Sequence, residues 1–69
     1  MKIITSEEIL NTIRERGPMS TLELFALFAG SEADGMPQEK RAQYISKINE
    51  KCNRLRSQGY LEGIWRAIR

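Results

Sequence analysis

The sequence predicts a mainly α chain with a small β-element at its C-terminal end. Three observations carry that expectation: two helix-capping boxes, one long apolar stripe at helical spacing, and a closing run of β-branched and aromatic residues. The 69 residues suit a single domain, 1–69. A chain of this size buries only about 60% of its unfolded surface, so its core is marginal. The lone cysteine, Cys52, has no internal disulfide partner, and there is no histidine for a Cys/His zinc site or a His-based catalytic centre. Helix packing, helped by dimerisation, remains as the means of stabilisation.

The first helix is expected to start at Thr5-Ser6-Glu7-Glu8, where the Thr5 hydroxyl can accept the amide three residues on and Glu8 can reach back. Ile9, Leu10 and Ile13 then form its apolar stripe, and Gly17-Pro18 ends it. Pro18-Met19 suits a short extended bridge. Ser20-Thr21-Leu22-Glu23 is a second capping box, opening a helix (22–29) that is apolar nearly all round. Gly30 to Met36 reads as a loop by composition. Pro37 suits the first turn of a third helix, running to Gln58, in which Ile45, Ile48, Cys52 and Leu55 recur at spacings of 3, 4 and 3. Gly59 is its expected C-terminal cap. Tyr60, Ile64, Trp65 and Ile68 give the tail β character, with Glu62-Gly63 as the turn.

Charge is divided unevenly. Residues 1–36 carry three bases and six acids, residues 37–69 eight bases and three acids, so −3 and +5 make up the net +2. The basic half suits a polyanion-facing surface; the same charges also suit a solvated helix face. The segment Met1 to Thr5 has only two consecutive strongly apolar residues, too few for a signal peptide, and no run approaches membrane-spanning length. With its single thiol, the chain is expected in the cytoplasm, away from membranes.

Two stretches resemble the winged helix-turn-helix family. Ile9 to Leu24 is similar to the first helix, bridge and second helix of such domains. Ile48 to Leu61, ending in Leu55-Arg56-Ser57-Gln58-Gly59-Tyr60-Leu61, is similar to a recognition helix running into the first wing strand. The resemblance implies a three-helix winged helix-turn-helix with a short C-terminal hairpin. It also implies a transcriptional regulator that binds double-stranded DNA with the third helix in the major groove.

On a helical wheel of residues 37–58, Gln43, Ser46, Lys47, Glu50, Arg54 and Ser57 fall opposite the apolar stripe, flanked by Lys40 and Lys51. The expected DNA contacts are therefore Gln43 to an adenine edge and Lys47 to guanine or phosphate, with Lys40, Lys51 and Arg54 to phosphates. Tyr44 lies between the faces and joins the set, as does Arg66, or Arg69, near the backbone. Arg41 and Arg56 fall nearer the apolar side. Glu50 opposes phosphate binding; it can pair instead with Lys47 or Arg54.

Cys52 and the pair Phe25 and Phe28 read as core, and Trp65 reads as core in preference to a partner anchor. Surplus apolar surface on the second helix suits a second subunit or a protein partner. That surface supports an alternative function, a winged-helix protein-interaction module without DNA binding. With no histidine, no glycine-rich phosphate loop and no nucleophile with a recognisable base, neither an enzyme nor a cofactor is expected.

Overall fold

The structure, a computed structural model, describes residues 4–68. The signal-peptide reading of the first residues and the Arg69 contact fall wholly or partly on Met1 to Ile3 and Arg69, outside the described residues. The chain is mainly helical and closes in a two-stranded antiparallel hairpin. Helices α1 (Ser6–Arg16), α2 (Thr21–Ala29), α3 (Glu32–Gly35) and α4 (Gln38–Ser57) precede strands β1 (Leu61–Glu62) and β2 (Arg66–Ala67).

Helices α1 and α2 start at the expected caps, but only α2 forms the full reciprocal box. The Glu8 amide donates to the Thr5 hydroxyl (3.1 Å), which in turn donates to the Glu8 carboxylate (3.4 Å). At α2 the box is reciprocal: the Glu23 amide donates to Ser20 Oγ (3.1 Å), and the Ser20 amide donates to Glu23 Oε1 (3.2 Å). Helix α1 ends where the Gly17 amide reaches the Ile13 carbonyl (2.8 Å).

The segment 30–36 departs from the loop expectation, since Glu32–Gly35 forms one helical turn. Its acids lie at the start of the turn, where the peptide dipoles favour them. The Ala33 carbonyl accepts from the Met36 amide (3.4 Å) and from the Arg41 guanidinium (2.7 Å), which ties the turn to the long helix that follows.

Helix α4 is the centre of the fold. Helices α1 and α2 pack on it, β1 packs against it, and β2 lies against α1. The core side of α4 is Tyr44, Ile48, Cys52 and Leu55. These meet Ile9, Leu10 and Ile13 of α1, Leu24, Phe25 and Ala29 of α2, and Leu61 and Trp65 of the hairpin region. The expected stripe therefore shifts at its N-terminal end, with Tyr44 taking the buried position and Ile45 half-buried at the edge. The reason is Phe25, whose ring meets Tyr44 edge-on at 5.3 Å between centroids.

The end of α4 sets the direction of the hairpin. The Gly59 amide donates to the Arg56 carbonyl (3.1 Å) and the Tyr60 amide to the Leu55 carbonyl (2.9 Å), a Schellman closure. It requires a left-handed residue, and Gly59 has φ 87°. Gly59→Ala is expected to cost about 1 kcal/mol of stability, measured by urea unfolding.

The hairpin pairs Leu61 with Ala67 and Glu62 with Arg66. Residues 63–65 form the turn, one residue beyond the expected Glu62-Gly63 pair. Met19, in the short bridge, exchanges two backbone hydrogen bonds with Trp65, each 3.1 Å. These two bonds tie the hairpin turn to the α1–α2 connection.

Candidate nucleic-acid interface

The side of α4 away from the core carries the expected polar residues. At 100° per residue, Lys40, Lys47, Lys51 and Arg54 fall within an arc of roughly 60°, and Gln43 borders it. Lys40, Gln43, Lys47 and Arg54 are exposed, while Lys51 is half-buried at the edge of the row. Among the described residues, none of these four cations lies within ion-pair distance of a carboxylate. Glu50 is exposed on the same helix and makes no pair with Lys47 or Arg54.

Two residues of the expected set stand elsewhere. Tyr44 is only 5% exposed and belongs to the core. Burial pushes its phenol above the ordinary value, and the Glu32 and Glu8 carboxylates add to the shift. A ring held edge-on by Phe25 is not on the surface that a groove would meet. Arg66 is exposed in the hairpin, where its guanidinium pairs with Glu62. With Ile13, Arg14, Gly17, Pro18 and Ile68 it lines an open cleft of about 290 Å³ beside the end of α1, apart from the α4 row.

The other arginines of α4 brace the fold. Arg41 lies over the Phe25 ring (5.9 Å) while holding Ala33, and Arg56 lies over the Trp65 ring (5.2 Å). Their positions toward the apolar side of the wheel account for this.

Sequence reading missed a second polar group. Trp65 Nε1 donates to Thr21 Oγ1 (2.8 Å), and the Thr21 hydroxyl donates to Asn49 Oδ1 (3.3 Å). One turn further along α4, Arg56 donates to Asn53 Oδ1 (2.9 Å). Asn49 and Asn53 were legible on the same wheel, but their partners are distant in sequence or belong to the stacked Arg56.

Cys52 is fully buried, and burial pushes its thiol up from 9.0 to about 11. It is therefore protonated at neutral pH and inert. Iodoacetamide at neutral pH should leave Cys52 unmodified in the folded chain and label it once denaturant is added. The linkage sign is also set, because the unfolded chain loses this proton first. Stability is unaffected by this group below pH about 9 and falls as pH rises toward about 11.

Apolar surface also remains exposed. Leu22 of α2 is 65% exposed and Ile64 of the hairpin turn 73%. Among the described residues, no helix is long and apolar enough to cross a membrane. Compared with family models, with curated proteins and with solved structures, the chain matches none.

Proposed function

We propose that this chain binds duplex DNA as a small winged-helix regulator, with the exposed side of α4 in the major groove. The observation that carries this reading is the row of Lys40, Lys47, Lys51 and Arg54, unpaired among the described residues, along one flank of a 20-residue helix held by the core on the adjoining side. A single flank of cations on a rigid helix can follow one phosphate strand. Gln43, bordering the row, is within the arc that meets base edges. The hairpin adds little charge, since Arg66 is engaged by Glu62.

About four neutralised phosphates give weak binding that falls ~100-fold between about 50 and about 200 mM salt. Fluorescence anisotropy with a random-sequence duplex should show that dependence. Binding that does not respond to salt, or no binding at about 50 mM, contradicts the reading. Contacts this few suit a homodimer or a protein partner on any specific site. Sedimentation of the specific complex with one protomer alone on the DNA would contradict that part.

A second reading has its own support. Leu22 and Ile64 offer apolar surface suited to a protein-interaction module. Under that reading, reversing charge at Lys47 and Arg54 leaves complex formation largely intact.

A further inference from the structure

Two side-chain hydrogen bonds meet at Thr21. An indole N–H only donates, so the Thr21 oxygen must accept from Trp65 (2.8 Å). The Thr21 hydroxyl in turn donates to Asn49 Oδ1, 3.3 Å away. A guanidinium also only donates, so the atom that Arg56 meets at 2.9 Å is the oxygen of Asn53. Both amides are thus oriented by the fold, with their oxygens turned to internal partners. Both anchors depend on Trp65, because Arg56 is itself stacked over that ring.

On the wheel, Ala42, Ser46, Asn49 and Asn53 form an uncharged flank, roughly 150° around the axis from the cationic row. Asn49 is exposed and Asn53 half-buried. The two flanks border the same exposed side of α4. A helix seated in the major groove turns the side between its flanks to the base edges, and polar residues bordering that side on either flank can reach them.

Resting on the DNA reading of α4, the geometry points to Asn49 and Asn53 as specificity-determining residues, each presenting an oriented amide NH2 to an acceptor on a base edge. Guanine offers two such acceptors, O6 and N7, and thymine offers O4. Cytosine presents only the N4 amine, a donor, and is rejected. Four residues of helix advance about 6 Å, close to two base steps of ~3.4 Å. The two amides therefore meet bases one or two steps apart. Thr21 is a positioning residue, acting through Asn49.

The test is selection of binding sites by the full chain from a random-sequence duplex pool, repeated with Asn49→Ala, Asn53→Ala, Thr21→Val and Thr21→Ser. The wild type is expected to select a site with two positions depleted in cytosine by about tenfold. Asn49→Ala and Asn53→Ala each flatten one of them, while affinity for the unselected pool stays within about twofold. Thr21→Val flattens the Asn49 position, and Thr21→Ser, which keeps the hydroxyl, retains it. Circular dichroism confirms that each variant is folded. A selected site unchanged in both asparagine variants overturns the inference, as does a wild type that binds duplex without preference. Both results leave DNA binding by α4 standing. No duplex binding by the wild type at low salt overturns that reading as well, so the two failures are distinct.

Discussion

Reversing two charges on the exposed side of α4, Lys47→Glu with Arg54→Glu, is expected to lower affinity for duplex DNA by ~100-fold or more. Each reversal removes a phosphate contact and adds a repelling carboxylate in the same place. If both cations touch phosphate, the log–log salt slope should also fall by about two. The fold should hardly change, because Lys47 and Arg54 are exposed and make no ion pair among the described residues. Surface substitutions of this kind usually stay within about 0.5 kcal/mol of wild-type stability. Anisotropy titration at two salt concentrations checks the affinity and the slope, and thermal melting checks the fold. Affinity unchanged in a folded double variant would remove α4 from the interface.

The largest effect on stability is expected at Trp65. Its side chain is 4% exposed, gives its N–H to Thr21 and carries Arg56 over its face. Its backbone is paired with Met19. Truncating a buried tryptophan to alanine costs about 3–5 kcal/mol. A 69-residue domain holds only about 3–10 kcal/mol in all, at ~0.05–0.15 kcal/mol per residue. Trp65→Ala should therefore leave the chain largely or wholly unfolded at about 37 °C. Trp65→Phe keeps most of the burial and loses the bond to Thr21, a net cost of about 1 kcal/mol. Urea unfolding of the two variants separates packing from hydrogen bonding. A Trp65→Ala chain as stable as wild type would show that the hairpin does not brace the helices.

Local signals accounted for most of the helical framework. Ser20 and Glu23 specify the start of α2 because both partners of the capping box lie within one turn. Gly59 specifies the end of α4 because only a left-handed residue closes that motif without strain. Ile48, Cys52 and Leu55 follow the helical period and are buried where it puts them. Tyr44 departed from its reading because its burial depends on Phe25, which is far away in sequence. The turn at Glu32–Gly35 escaped composition because one of its braces, the Arg41 bond to the Ala33 carbonyl, comes from beyond Pro37. Exposure of the basic side of α4 follows from periodicity, and the structure places Lys40, Gln43, Lys47 and Arg54 together there. The bond from Thr21 to Asn49 crosses 28 residues, and no local pattern announces it. Arg66 was expected near the DNA backbone, and its pairing with Glu62 was not legible because the two face each other only once the hairpin forms.

The central claim is that the exposed side of α4 meets duplex DNA. At 8.0 kDa the chain suits residue-by-residue NMR, and adding duplex DNA to the isotope-labelled protein tests the claim most directly. The amide signals of Lys40, Gln43, Ser46, Lys47 and Arg54 should shift together, along with those of Asn49 and Asn53. The buried α1 residues Ile9 and Ile13 should stay in place. Shifts confined to Leu22, Ile64 and their neighbours, or no shifts at low salt, would contradict it.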